Sequence, residues 1–472
     1  MTSTKPLPLP DATDIINAIK QGKTSGLAII QQHIERCKKL NPSLNAITET
    51  FYQQALAESE NPKPGPLSGL PISLKETIAL QGNEITAGSI RMPAIQCQED
   101  AEIVKRLKQA GAIILARSTV PEFVMAAETS SLRWGTTNHP IDNTRTCGGS
   151  TGGEAALIST GCTAVGIGTD ILGSIRGPSN FCGIVGFRPA SNRVDKKGIW
   201  TSGVGYFETF NGVGPMARSV RDIELIYSII SDFTPTPSAE PQTTQLIIPS
   251  GLNIPIQDPA ISHALEMAHQ HLIQLGMHKE AIDFSDCQSL LKNLQPLVAA
   301  ESAPKWRCWL NNKKHGEFEY HREVLSHITG TPTISPALLT WFGVELMNKP
   351  NQKSLDNIIE DYEIKREKYH DLLSNNRVLI LPTTGLLAPK HNGMNMLKFT
   401  PKLKDLVTPL SLINALNLSA ITIPAHNCKD SKTGLIPGIT LATASGSENT
   451  LLQTAKNLEI AFSNNKISKI SS

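Results

Sequence analysis

Neither sign of charge predominates in this sequence: 44 Lys and Arg stand against 42 Asp and Glu, a formal net charge of +2 over 472 residues. Without an excess there is no broad field to hold a phosphate backbone or an anionic surface, so general nucleic-acid binding is not expected. The eight cysteines (Cys37, Cys97, Cys147, Cys162, Cys182, Cys287, Cys308 and Cys428) include no C-x-x-C pair and no Cys/His cluster at zinc-ligand spacing. They are expected to be reduced, mostly buried thiols. No run reaches the roughly 18 apolar residues that a membrane span needs. The stretch Met1 to Asp11 has three prolines and one lysine but no apolar signal-peptide core. A cytoplasmic, soluble chain without a transmembrane segment is the expectation, and no internal repeat of 20 to 50 residues is visible.

What is present is an ordinary globular composition, 40% hydrophobic and 18% charged, arranged with α/β periodicity. Leu27, Ile30, Ile34 and Cys37 recur at helical steps behind Thr24 and Ser25, which can cap. Leu70, Ile72 and Leu74 alternate with Pro71, Ser73 and Lys75, predicting a strand that ends in a lysine opposite its apolar face. Asp100 opens a helix through Ile103, Leu107 and Ala110, Gly111 suits its C-terminal cap, and Ala112 to Ala116 reads as a strand. The rhythm returns late, with strands at Val378 to Leu381 and Ala420 to Ile423 and a capping box at Ser445 and Glu448 before a last helix. Asp232 to Gln245, with Pro235, Pro237 and Pro241, has linker composition. The helix-rich segment after it, to about Asn375, carries Trp306, Trp309 and Trp341, which suit either a cap over a pocket or core packing.

The glycine- and serine-rich run from Cys147 to Gly186 is where chemistry is sought, because glycines between short apolar elements let backbone N–H groups converge on a ligand. As a phosphate cradle it lacks the lysine of G-x-x-x-x-G-K-[ST] and any G-x-G-x-x-G. As a nucleophile elbow, Gly148-Gly149-Ser150-Thr151-Gly152 satisfies G-x-S-x-G and His391 could serve, but no apolar strand precedes it. A third arrangement takes Ser174 as nucleophile, Ser150 as relay and a desolvated Lys75 as base. A solvated strand-terminal lysine is the plain alternative, and spacing alone leaves the choice open.

The runs GGSTGG, GTDILGSIRGPS and FCGIVGFRP, with the lysine strand Leu70 to Glu76 and Gly214 to Arg218 downstream, resemble the amidase signature family. Trp134 to Pro178 is most similar to its fatty acid amide hydrolase branch. The resemblance covers most of the chain and is weakest from Asp232 to Asn375. It implies a single α/β domain spanning residues 1–472, with a central mixed twisted sheet and helices on both faces. The divergent segment 232–375 would then shape the substrate pocket. It implies Lys75 as base, Ser150 as a serine at a cis peptide and Ser174 as the acyl-accepting nucleophile. The N–H groups of Ile171, Leu172, Gly173 and Ser174 would form an oxyanion hole, and Val124 would sit in an acyl channel. Asp170 and Arg176 are expected to brace the loop as a buried pair.

Amide hydrolysis through an acyl-enzyme, on a hydrophobic acyl or aryl amide, is the expected function, with no metal or organic cofactor. The expected partner is a small-molecule amide; a homodimer stays open and no nucleic acid is expected. The alternative within the family is the glutaminase subunit of a tRNA-dependent amidotransferase, although Glu128 to Arg133 and Asn180-Phe181 differ from what those subunits carry. Leu172 stands where the family has glycine, which raises a further alternative, an impaired ligand-binding relative. If that position required left-handed φ, leucine would cost about 1 kcal/mol or more.

Overall fold

The protein is described by a computed structural model covering residues 9–235, 240–394 and 407–463. Eleven strands form one sheet: β1 (Ile47–Thr50), β2 (Pro71–Lys75), β3 (Ile113–Ser118), β4 (Val165–Asp170), β5 (Val185–Arg188), β6 (Gly212–Ala217), β7 (Gln245–Ser250), β8 (His278–Asp283), β9 (Arg377–Pro382), β10 (Ser419–Pro424) and β11 (Gly438–Thr443). Their spatial order is β1-β3-β2-β4-β6-β5-β10-β11-β9-β7-β8. The sheet is mixed: β2 runs parallel to both β3 and β4, the middle strands pair antiparallel, and β9, β7 and β8 are again parallel.

Both faces of this sheet are covered. Val378 and Ile380 of β9 pack into one apolar cluster with Ile223, Leu272 and Leu451, whereas Leu379 and Leu381 pack into a second with Trp306, Phe342 and Leu412. Side chains that alternate along a strand thus enter two cores, the signature of a sheet sandwiched between helical layers. The helices over the second face, Gln288–Glu301, Ala303–Leu310, Tyr320–Thr329 and Pro336–Asn348, come from the segment where the family resemblance is weakest.

Local expectations meet this framework with three corrections, one being that Asp100 does not open its helix: Ala101 precedes Glu102–Gln109, and the Asp100 carboxylate accepts the Gln81 N–H. The helix expected behind Ser25 runs from Gly26 to Leu44, after a shorter one at Ala12–Lys20, with the Ser25 hydroxyl accepting the Ala28 N–H, and Gly111 takes φ +96° after the helix Glu102–Gln109. In β2, however, all five residues are buried, not one face alone, because the strand is central and helices cover both sides. At the final helix, Glu448–Ser463, no capping box forms. The Ser445 hydroxyl turns to Asn192, while Glu448 accepts the Gly446 N–H and the Ser419 hydroxyl. The proline-rich stretch from Asp232 leads through a short turn at Pro241–Thr243 straight into β7; its residues 236–239 lie outside the described ones. All eight cysteines are unpaired, and only Cys308 is exposed. Among the described residues, no helix is long and apolar enough to cross a membrane.

Candidate active site

Lys75 ends β2 between two parallel neighbours, so its side chain projects from the carboxyl end of a central strand without reaching water; the residue is fully buried. Its Nζ lies 2.8 Å from Ser150 Oγ, 2.8 Å from Thr151 Oγ1 and 2.9 Å from Thr169 Oγ1. Burial pulls its pKa down from 10.5 to about 7, against the opposing pull of Asp170, Glu154 and Glu76. Hydroxyl directions follow from the remaining bonds. The Thr151 hydroxyl donates to the Thr169 carbonyl at 3.2 Å, so its lone pair faces the lysine. A neutral amine has two protons and one lone pair; donating to the two threonines leaves that lone pair for the Ser150 proton. Close approach is needed: a Cβ on Gly168 of β4 would lie 2.6 Å from Thr151 Cγ2.

Ser150 follows a cis Gly149–Ser150 peptide and precedes the helix Gly152–Ser159. The Thr151 N–H donates to the Ser174 carbonyl at 3.2 Å, tying the two serine segments together. The loop from β4 to the helix Arg176–Cys182 wraps a buried ion pair. Asp170 lies 3.0 Å from Arg176 Nε, and its carboxylate also accepts the N–H groups of Gly173 (2.7 Å) and Ile175 (3.1 Å). Burial disfavours the Asp170 charge, but the Arg176 guanidinium, with Arg188 and Asn414 beside it, holds the carboxyl well below the usual carboxylate range. Asn414, 244 residues downstream, donates to the Asp170 carbonyl and carboxylate and accepts from Arg176 at 2.5 Å.

Left-handed φ in this loop falls on Gly173 (+99°) and not on Leu172, so the leucine carries no such backbone penalty. Ser174, Ile171, Leu172 and Val124 all line a cavity of about 660 Å³. Gly173 instead commits its N–H to Asp170, which removes it from the expected set of oxyanion donors. His391 belongs elsewhere: its Nε2 is 3.0 Å from both Asn138 Oδ1 and the Asn143 carbonyl, while the neighbour of Ser150 Oγ is Lys75. No strand leads directly into Ser150 either, so the elbow arrangement does not form.

A family model described as Amidase matches residues 28–452. The chain belongs to the amidase signature family. This amidase is 26% identical over 501 residues to fatty-acid amide hydrolase 2-B of Danio rerio, covering 97% of the chain and 90% of the relative. It is 26% identical over 481 residues to a glutamyl-tRNA(Gln) amidotransferase component from Synechococcus sp., covering 94% of each. A Schizosaccharomyces pombe protein named as an amidase is 31% identical over 283 residues, so the chain spans about half the length of that relative. Among solved structures, 6-aminohexanoate cyclic dimer hydrolase superposes with a TM-score of 0.79 at 23% identity over 96% of this chain and 97% of that one. Fatty acid amide hydrolase superposes with a TM-score of 0.79 at 19% identity over 96% and 85%. The amidase is accordingly an amidohydrolase acting on C–N bonds.

The amidase cavity is walled on one side by the signature loop with Val124, Met125 and Phe181. On the other side stand Leu291 and Leu294 of the helix Gln288–Glu301 and Leu339, Trp341, Val344 and Met347 of the helix Pro336–Asn348. Among the described residues no Asp, Glu, Lys, Arg or His lines it. Thr169, Glu154 and Asn414 were not singled out from sequence. Glu154 sits beneath the lysine, bonded to the Ser73 hydroxyl, and burial pushes its pKa up to about 7. Thr169 and Glu154 lie inside the signature run and could have been flagged as polar residues on buried elements. Asn414 carries no such local signal.

Proposed function

We propose that the amidase hydrolyses an amide with an uncharged, hydrophobic acyl or aryl group through an acyl-enzyme on Ser174. Ser150 acts as relay and Lys75 as base. The observation that carries this is the buried Lys75 amine, near neutrality in pKa and 2.8 Å from Ser150 Oγ, with Ser174 on the wall of an apolar cavity. Neutral Lys75 draws the Ser150 proton as Ser150 takes that of Ser174, and Ser174 Oγ attacks the carbonyl carbon. Backbone N–H groups of Ile171, Leu172 and Ser174 hold the oxyanion; a good donor of this kind contributes about 2.7 to 4 kcal/mol to the transition state. Ser150 then passes a proton to the leaving nitrogen, and water releases the acid by the same steps in reverse.

The glutaminase alternative asks for a site that holds the ammonium and carboxylate of glutamine, whereas the lining among the described residues consists of apolar, amide and hydroxyl groups, which favours an uncharged acyl group. An impaired scaffold loses its motive once Leu172 is free of left-handed strain. Eight unpaired thiols suit a reducing compartment, and the cytoplasm is the proposed setting. The test is a hydrolysis screen over acyl p-nitroanilides and free glutamine. Turnover of octanoyl or benzoyl amides with glutamine inert supports the assignment; glutamine turnover, alone or with added amidotransferase subunits, overturns it.

A further inference from the structure

Glu122 is a buried carboxylate, 2% exposed, that makes no ion pair among the described residues. It accepts the Ser89 hydroxyl at 2.6 Å and, from across the cavity wall, the backbone N–H of Ser335 at 2.5 Å. Ser335 is the N-terminal cap of the helix Pro336–Asn348, its hydroxyl accepting the Leu338 N–H at 3.3 Å. That helix supplies Leu339, Trp341, Val344 and Met347 to the cavity.

On the other wall, Glu122 opens the turn that holds Phe123 at φ +54° and Val124 at φ +51°. Two consecutive left-handed residues without glycine, one of them β-branched, form a conformation that must be held from outside. Phe123 is held by packing against Trp200, Trp306 and Trp309 and by its N–H to the Ala87 carbonyl. Val124 projects into the cavity wall. A second tie runs in the same sense, from Trp341 Nε1 to the Met125 carbonyl at 3.1 Å. The two walls of the apolar cavity are therefore joined at two points, one of them the Glu122 carboxylate.

We propose that Glu122 is a positioning residue that sets the width of the acyl cavity, by clamping the Pro336–Asn348 helix through the Ser335 N–H to the turn that carries Val124. This rests on the acyl-enzyme assignment of the same site. A carboxyl group suits the task because its two oxygens hold the Ser89 hydroxyl and the Ser335 N–H at once; burial pushes its pKa up to about 7, so the tie rests on this geometry and not on charge. Glu323 secures the adjoining Thr333 and Ile334 N–H groups, at 2.6 and 3.0 Å, so the strand of chain leading into the helix is fixed on both sides.

The test compares labelling of Ser174 by a linear octyl fluorophosphonate and by a bulky naphthyl one, with saturation kinetics separating binding from reaction. Ser335→Pro removes the N–H while its φ of −70° suits proline, and Ser335→Ala keeps the N–H but loses the hydroxyl. Glu122→Ala removes the clamp from the other side, and Glu122→Gln keeps an acceptor. Ser335→Pro and Glu122→Ala are expected to raise the naphthyl-to-octyl ratio by roughly tenfold, the low end of what a hydrophobic pocket discriminates for one methylene. The change should lie in the binding constant, with the limiting rate for the octyl probe within about twofold; Ser335→Ala and Glu122→Gln should stay near wild type. An unchanged ratio in Ser335→Pro overturns the clamp while leaving Ser174 as nucleophile. A wild-type protein that takes neither probe overturns the underlying assignment and the clamp's role with it.

Discussion

At the scale of single residues, the proposed chemistry turns on a lysine that is unprotonated at working pH. Burial without an ion-pair partner lowers its pKa to about 7, so the fraction of neutral Lys75 rises as pH climbs through neutrality. The expected kcat/KM on an octanoyl p-nitroanilide rises with pH over that range and then levels. Lys75→Ala should lose about 10²- to 10⁴-fold at the plateau, the usual contribution of a general base. Leu172→Gly is expected to keep Ser174 reactive while enlarging the cavity next to it, raising kcat/KM for bulkier acyl groups; loss of labelling would instead show that the leucine is needed for the loop. Lys75 and Ser150, which the structure brings to 2.8 Å, and Ser174, on the cavity wall, were singled out because the runs that carry them resemble a family signature, spacing alone having left the choice open. Thr169 was not, since a threonine in a strand is ordinary until its hydroxyl is found 2.9 Å from a buried amine.

At the scale of elements, the loop after β4 is shaped more by its charges than by its glycines. Asp170 binds the N–H groups of Gly173 and Ile175 and pairs with Arg176, while Asn414 ties the pair to the helix Thr408–Ala415. Breaking one member leaves the other as a buried, uncompensated charge. Asp170→Asn and Arg176→Met should each destabilise by about 3 to 5 kcal/mol in chemical denaturation, with the double variant costing less than the two together. Any folded Asp170→Asn protein is expected to label poorly at Ser174, because asparagine keeps one acceptor oxygen but turns an NH2 donor on the N–H groups that the other oxygen accepted. The bracing role of Asp170 and Arg176 could be anticipated from opposite charges six residues apart in an otherwise apolar run. The loss of Gly173 as an oxyanion donor left no such mark, for which N–H a carboxylate takes is decided by how the loop folds. The capping box failed for a related reason: Ser445 and Glu448 have the right spacing, but tertiary partners at Asn192 and Ser419 win the bonds.

At the scale of the whole molecule, alternation between helical and strand periods pointed to an α/β fold, while the covered, mixed sheet was what the family resemblance implied; residues such as Val378 and Leu379 do enter cores on opposite faces. The order of eleven strands was not readable, since it depends on pairings such as β2 with β4, some 90 residues apart, that leave no local mark. Burying a lysine in the centre of such a sheet also has a global consequence. The unfolded chain holds its Lys75 proton up to about pH 10.5 and the folded one only to about pH 7, so this residue's contribution to stability is full above pH 10.5 and is lost as pH falls to 7. Lys75→Met is therefore expected to be more stable than wild type at pH 6.5, by an amount on the order of 4 kcal/mol that shrinks steadily toward pH 10 in thermal melts. A gap that stays constant with pH would mean the lysine remains charged when folded.

The central claim is that Ser174, served by Ser150 and Lys75, is a reactive nucleophile at the edge of an apolar cavity. Labelling of the purified amidase by an alkyl fluorophosphonate, with mass spectrometry of the modified peptide in wild type, Ser174→Ala and Lys75→Ala, tests it most directly. The account predicts a single adduct on Ser174, absent in Ser174→Ala and formed far more slowly in Lys75→Ala. An adduct on Ser150, or none on the folded wild-type protein, would contradict it.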